Sequence, residues 1–170
     1  MSTERYFLSA AANKVDLSAW RPIVPVAAQP FATNLFGDAF FADSTGVVHM
    51  LSRSAASSEK ISSSVEDFRG RLEEDEEGWQ LRPLADACTS AGKILGDGQC
   101  YAFVTLPLLG GDYAVENVYV SSWAEWFELT ADIYGQTKDL PEGAQVRINV
   151  GSKPAADPQA DGGFFKRLFR

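Results

Sequence analysis

Residues 98–117 read GQCYAFVTLPLLGGDYAVEN, and the order of residue types in this stretch decides the fold. The apolar and aromatic run from Cys100 to Leu106 predicts a buried strand, which Pro107 ends because proline cannot donate to a strand ladder. The alternation from Tyr113 to Val120 predicts a second strand. Between the two strands, the Gly110-Gly111 pair predicts a tight turn.

A glycine pair can also belong to a phosphate-binding loop. Such a loop places its glycines at the start of a helix, with Lys or Arg nearby to hold the anion. Here the glycines link two predicted strands, and Asp112 follows them with the wrong sign of charge. We therefore interpret Gly110 and Gly111 as structural residues that permit a tight backbone path.

The residues after this stretch predict a helix and a last strand. Ser122 and Glu125 have the spacing of a capping box, in which both side chains satisfy free N–H groups at a helix start. A turn at residues 140–143 then leads into a predicted strand from Ala144 to Val150. The predicted helix has one largely aromatic face, formed by Trp123, Trp126, Phe127, Thr130 and Tyr134.

The residues before the stretch predict a hairpin. Two apolar runs, AFFA and VVHML, flank the sequence Asp43-Ser44-Thr45-Gly46. Asp43 can begin a turn with a side-chain-to-backbone hydrogen bond, and Gly46 can adopt the positive φ that such a turn requires. A loop and a short strand are predicted within Ser54–Ser63.

Two helices are predicted between the hairpin and the stretch. Ser64 is the expected cap of the first helix, which carries one apolar stripe. This helix is predicted to run into the acidic residues Glu73–Glu77 and to stop at Gly78. The second carries apolar residues from Leu81 to Ala91 and ends at Gly92, a natural helix terminator.

Together these elements predict an α+β fold: a single domain with a mostly antiparallel sheet and about three helices packed on it. We divide the chain into four segments. They are an N-terminal segment (1–29), the α+β domain (30–150), a linker rich in Ser, Pro, Ala, Asp and Gly (151–163), and a basic-aromatic C-terminal tail (164–170).

The charge of the chain restricts its partners. The net charge is −8, and residues 1–163 hold 12 Lys and Arg against 23 Asp and Glu because the tail, FFKRLFR, carries three cations. A body this acidic repels phosphates, so we expect no direct binding of nucleic acid and an attraction to basic proteins.

The expected compartment is the cytoplasm. No apolar run reaches the roughly 18 residues of a membrane-spanning helix. The first residues, MSTERYFLSAAANKVD, carry both signs of charge and lack the apolar stretch of a signal peptide. Cys88 and Cys100 have no metal-ligand spacing, and we interpret both as buried apolar side chains.

The residues offer little support for catalysis. His49 is the single histidine and lies in a predicted strand, where alternation places it opposite Val48 and Met50 and towards solvent. No metal site, nucleotide-binding loop or nucleophile–base pair is indicated, so we expect no catalytic residue, no metal and no cofactor. A small hydrolase that uses His49 is the weakest of the functional hypotheses.

The acidic run is the strongest candidate for a binding surface. As predicted, Glu73, Glu74, Asp75, Glu76 and Glu77 lie near a helix C-terminus, where the helix dipole disfavours negative charge. Because this placement would lower the stability of the helix, the presence of five acids there favours a role in binding. Asp112 and Glu116 are weaker candidates for the same surface.

Three motifs resemble those of a bacterial domain family long described as of unknown function. The first runs from Leu35 to Leu51, the second from Gly98 to Asn117, and the third from Gln136 to Gly143. The matching positions that we assign to the fold are Phe36, Gly37, Asp38, Asp43, Gly46, Gly98, Gln99, Cys100, Tyr101, Gly110, Gly111, Tyr113, Asn117, Pro141 and Gly143. The resemblance covers about residues 30–150.

That family is associated with immunity proteins of the type VI secretion system, in which the domain follows a GAD-like domain and the whole protein counteracts a DNA-degrading toxin. Only about thirty residues precede the first motif here, so we expect the GAD-like domain to be absent or vestigial. The resemblance implies a non-catalytic protein that binds and neutralises a cognate toxin, with a nuclease as the expected class.

An acidic inhibitor would suit a nuclease, because a nuclease carries positive charge to hold phosphates. The alternative hypothesis is a general interaction or scaffold module. It would use the C-terminal tail, which can dock onto a partner or an anionic membrane surface but is too short to anchor the protein alone.

Overall fold

The computed structural model describes residues 2–148. Within them, six strands, three α-helices and several short 3-10 helices form the α+β fold predicted from the sequence. The predicted linker (151–163), the C-terminal tail (164–170) and the last two residues of the predicted final strand lie outside the described residues.

Four strands form an antiparallel sheet in chain order: β1 (Gln29–Thr33), β2 (Ala39–Ala42), β3 (Val48–Ser52) and β4 (Ser57–Ser62). The predicted hairpin is confirmed as β2 and β3, with Phe41 opposite His49. Pro30 lies in the edge strand β1 beside a register shift, a position that tolerates the missing N–H group.

The turn between β2 and β3 has the predicted chemistry. Asp43 Oδ1 accepts hydrogen bonds from the Thr45 amide (2.8 Å) and the Thr45 hydroxyl (2.6 Å). Gly46 has a φ of 85°, which an L-residue with a side chain rarely adopts. The turn therefore fixes the register of the hairpin.

Helix α1 (Val65–Arg71) begins as predicted, since the Ser64 hydroxyl accepts a hydrogen bond from the Asp67 amide at 3.1 Å. It ends seven residues earlier than predicted. The acidic run forms turns in which Asp75 adopts a φ of 49°, and it is not the last turn of a helix. Negative charge opposes the dipole at a helix C-terminus, which favours ending the helix before the acids. Helix α2 (Arg82–Ser90) follows.

The second sheet pairs β5 (Gln99–Phe103) with β6 (Val118–Ser122) in antiparallel register. The strand predicted from Tyr113 begins only at Val118, because residues 115–117 form a 3-10 turn. The Asn117 side chain explains the difference: its amide accepts from the Thr105 N–H and donates to the Thr105 carbonyl, both at 2.9 Å. A side chain thus replaces the backbone partner that a longer strand would supply.

Helix α3 (Trp123–Thr137) closes the fold with the predicted face, burying Trp126, Phe127, Thr130 and Tyr134. The capping box is wrong: the Ser122 side chain makes no capping hydrogen bond. Ser122 pairs with Gln99 in the sheet, and the Gly98 carbonyl accepts the Trp123 N–H at 3.0 Å. A backbone carbonyl before β5 therefore accepts one of the free N–H groups at the helix start, in place of a capping side chain.

The last predicted strand is also wrong over its described part. Residues 144–148 form no strand, although burial alternates along them as the sequence suggested. Val146 and Ile148 pack on the core, and Gln145 and Arg147, which alternate with them, are exposed. This segment pairs with no strand. The alternation reflects side-chain packing alone.

The N-terminal segment contributes to the core. The 3-10 helix Ser18–Trp20 and the residues that flank it place Leu17, Trp20 and Val24 in a buried cluster with residues of β2, β3 and α3. The Trp20 ring stacks on the Tyr134 ring with 4.6 Å between their centroids. None of the helices formed by residues 2–148 has the length and apolar character that crossing a bilayer requires.

Candidate protein-binding surface

His49 lies in the hairpin with partners that account for it. Its ring stacks on Phe41 at a centroid distance of 5.3 Å, and its Nε2 lies 2.9 Å from Asp43 Oδ2. The ring is half-buried and not fully solvent-facing as predicted. Hydrogen bonds from Thr45 and the contact with His49 lower the pKa of Asp43, so its carboxylate stays ionised. Among residues 2–148, no three His, Cys, Asp or Glu side chains gather in a way that could hold a metal ion.

The glycine turn of residues 98–117 leaves no space for a side chain at Gly111, and Gly110 has a backbone conformation that favours glycine. A Cβ on Gly111 would lie 1.9 Å from the Thr105 carbonyl oxygen, and Gly110 has a φ of 87°. Asn117 Nδ2 also donates to the Asp112 carbonyl at 2.8 Å. Backbone carbonyls and a neutral amide therefore occupy this turn, which agrees with its structural interpretation.

The motif around Asp38 surrounds a buried pair of opposite charges. Asp38 Oδ1 accepts from the Arg53 backbone N–H at 3.2 Å, and Asp38 Oδ2 accepts from Asn34 Nδ2 at 3.1 Å. The Arg53 guanidinium donates from Nε to the Gly37 carbonyl at 2.8 Å and lies 4.0 Å from the Phe127 ring centroid. Burial raises the pKa of Asp38 to about 6 and lowers the pKa of Arg53 to about 10.

Other motif residues join the turn between β1 and β2 to strand β5 and to helix α3. The Tyr101 N–H donates to the Leu35 carbonyl at 2.8 Å, and the Trp126 indole donates to the Phe36 carbonyl at 3.1 Å. Cys100 is buried as a free thiol, and burial raises its pKa to about 12. A thiol in this state is not a nucleophile at neutral pH.

The remaining motif residues lie at turns and at the edges of the core. Gly98 and Gly143 have φ values of 73° and 79°. Gln99 Oε1 accepts from the Gly96 N–H at 2.7 Å, which closes the turn before β5. The half-exposed Tyr113 ring packs edge-on against Phe103, and Pro141 is exposed.

We name residues 73–77 the acidic turn. Two of its five acids are engaged within the protein: Asp75 pairs with Arg82 Nε at 3.5 Å with its side chain almost fully buried, and Glu77 contacts Arg71. Burial raises the pKa of Asp75. The exposed residues Glu73, Glu74 and Glu76 are therefore the part of the turn best placed to meet another protein.

The structure does not merge all the predicted binding residues into one cluster. Asp112 and Glu116 are exposed on the turn between β5 and β6, whereas the acidic turn connects α1 to α2. Sequence reasoning missed a third group, Glu125, Glu128 and Asp132, on the exposed face of α3. Their i, i+3, i+7 spacing opposite the aromatic face was the signal that could have identified them.

A groove adjoins the acidic turn. It has a volume of about 920 Å³ and is lined by the first 3-10 helix (Thr3–Tyr6) with its flanking residues, by β1 and α1, and by the start of the acidic turn. Phe7, Phe31 and Phe68 contribute aromatic surface to it, and Glu73 and Glu74 lie at one end. The acidic turn thus borders a concave surface that combines aromatic and charged side chains, an arrangement suited to binding a protein segment.

Comparison with known proteins identifies a family. Residues 62–134 match the family described as T6SS immunity protein Tdi1, C-terminal, where T6SS is the type VI secretion system. The match runs from the end of β4 into α3 and includes the acidic turn and all of the residues that resemble the second motif. No curated protein and no solved structure matched the chain.

The matched family is the one that the three motifs resemble, although the match covers a shorter range than the motifs do. Its range excludes the first motif, from Leu35 to Leu51, and the third, from Gln136 to Gly143. Over residues 62–134, the chain is therefore similar to the family described as T6SS immunity protein Tdi1, C-terminal.

Proposed function

We propose that this protein is a cytoplasmic immunity protein that binds a cognate toxin and neutralises it without catalysis. The observation that carries the proposal is the family match over residues 62–134. The residues of the second motif lie within that range and make backbone and core contacts, so we assign them to the fold and not to catalysis. The exposed acids remain available for a partner.

We infer further that the toxin presents a basic surface, as a nuclease does. A nuclease needs positive charge to hold phosphates, and an acidic inhibitor meets that surface with complementary charge. Such complementarity accelerates association and weakens as salt is added. The net charge of −8 supports this inference.

Within the acidic surface, we propose that Glu73, Glu74 and Glu76 make the principal contacts. They are exposed on one turn, while Asp75 and Glu77 hold the turn together through Arg82 and Arg71. Asp112 and Glu116 are proposed as secondary contacts. On this division, changing the first three removes charge and leaves the ion pairs of the turn intact.

The test begins with a pull-down of the tagged protein from its own organism, analysed by mass spectrometry. We expect one basic, toxin-like protein to be recovered. Its association rate is then measured at several salt concentrations with a variant that carries Glu73→Gln, Glu74→Gln and Glu76→Gln. We expect association to slow about tenfold at low salt and to depend less on salt.

A matched control separates local from overall charge. The variant with Glu125→Gln, Glu128→Gln and Asp132→Asn removes the same three charges from the exposed face of α3. We expect a smaller effect on the association rate. Equal rates for the two variants would contradict the placement of the interface, and recovery of housekeeping or membrane proteins alone would contradict the toxin-binding function.

A further inference from the structure

The groove beside the acidic turn has a floor of apolar side chains, and we name it the N-terminal groove. Phe31 packs edge-on against Phe68 with a centroid distance of 5.5 Å, and Phe7 packs edge-on against Phe40 at 6.0 Å. Phe7 and Phe31 remain only half-buried. Their exposed ring surfaces would gain from contact with aromatic or aliphatic side chains of a ligand.

The rim of the same groove is acidic. Glu4, Glu73 and Glu74 line it together with one cation, Arg69, and all four side chains are exposed. A ligand with several positive charges would therefore be attracted to the rim. The complementary ligand is a short segment that combines large apolar side chains with Lys or Arg.

The chain itself contains such a segment. The C-terminal tail, FFKRLFR, has three Phe and one Leu for the apolar floor and three cations for the acidic rim. We propose that residues 164–170 bind in the N-terminal groove of the same chain. The proposal does not depend on the toxin-binding function.

The length of chain before the tail permits this contact. Ile148 is held in the core, and 15 residues separate it from Phe164. The 16 steps from the Ile148 Cα atom to the Phe164 Cα atom span at most about 55 Å. A domain of this size has a radius of gyration of about 15 Å, so a linker of this length reaches most of its surface.

Binding of the tail would place it beside Glu73 and Glu74, two of the residues proposed to meet the toxin. The tail and a basic partner would then compete for the same carboxylates. The apparent affinity for a partner would fall by the fraction of molecules whose groove is occupied. Tail binding would thus raise the partner concentration that is needed for half-maximal binding.

The test uses the full chain with the photo-crosslinking residue p-benzoyl-phenylalanine in place of Phe165. After irradiation of the dilute protein alone, mass spectrometry locates the crosslinked residues within the monomer band. We expect crosslinks to residues that line the N-terminal groove, such as Phe7, Phe31 and Leu72. Adding Lys166→Glu, Arg167→Glu and Arg170→Glu should reduce their yield about fivefold or more.

A rescue variant tests charge pairing directly. Combining the reversed tail with Glu4→Lys, Glu73→Lys and Glu74→Lys should restore the crosslinks, because the exposed rim then carries the opposite sign. Crosslinks outside the groove, crosslinks only between two chains, or yields insensitive to both reversals would overturn the proposal. So would crosslinks that appear only with phosphatidylglycerol vesicles, which would assign the tail to membranes.

Discussion

At the scale of single residues, the buried pair of Asp38 and Arg53 holds the centre of the fold. Arg53 is 2% exposed and connects β3 to the turn at Gly37 and to Phe127 of α3. The two side chains form no direct ion pair, but they are nearby buried charges of opposite sign, so removing one leaves the other less compensated. Sequence patterns identified Asp38 but not Arg53, because only the fold brings the two residues together.

We predict that Arg53→Met destabilises the protein by about 3–5 kcal/mol at pH 8. The pKa of Asp38 in the folded protein, about 6, lies above the ordinary aspartate value of 3.8, so ionisation of Asp38 costs stability that is fully lost above pH 6. Loss of the Arg53 charge raises that pKa further. At pH 5, Asp38 is protonated in the folded protein and no longer needs the Arg53 charge. We therefore expect Arg53→Met to destabilise the protein by at least about 1 kcal/mol less at pH 5 than at pH 8.

Urea unfolding of the variant and of the parent protein at the two pH values measures this difference. Arg69→Met is the control, since Arg69 is exposed and should change stability by less than about 0.5 kcal/mol at either pH. An equal loss at pH 5 and pH 8 for Arg53→Met would show that Asp38 does not depend on the Arg53 charge.

At the scale of elements, the sequence predicted what local chemistry determines. The β2–β3 hairpin, the start of α1 and the buried face of α3 follow from turn residues, a cap and apolar periodicity. The errors arose where tertiary contacts replace local ones. Asn117 takes the place of a strand partner, and the sheet takes the place of the predicted cap at Ser122.

The glycine turn at residues 110–111 gives the sharpest prediction for an element. Gly111→Ala would place a methyl group 1.9 Å from the Thr105 carbonyl oxygen, a backbone atom that cannot move without breaking the contact with Asn117. We expect a loss of about 2–4 kcal/mol in the free energy of unfolding.

Two other glycines calibrate this measurement. Gly110→Ala meets no atom within 4 Å but must keep a φ of 87°, so we expect a loss of about 1 kcal/mol. Gly135→Ala lies in α3 with open space around it and should stabilise the protein by about 0.5–1 kcal/mol. If Gly111→Ala proved no more destabilising than Gly110→Ala, the close approach to Thr105 would not constrain the turn.

At the scale of the whole molecule, the N-terminal segment and the predicted α+β domain share one core. Residues 1–29 show little apolar periodicity, because 3-10 helices and turns bury single side chains at irregular spacing. Trp20 nevertheless is 0% exposed and stacks on Tyr134, and Leu8 donates its N–H to the Thr33 carbonyl at 2.8 Å. The boundary at residue 30 remains a prediction of sequence composition.

We predict that a chain beginning at residue 30 does not fold cooperatively. It would expose the surface of Ala39, Phe41 and Tyr134 that now packs on Leu17, Trp20 and Val24, and loss of a buried Trp side chain alone costs about 3–5 kcal/mol. That is a large part of the stability of an ordinary domain. Near-ultraviolet circular dichroism and urea unfolding of the fragment measure the outcome. A fragment with the parent's sharp transition would show that residues 30–148 hold the core without the segment. On that outcome, the first 3-10 helix would line the N-terminal groove but would not be needed for folding.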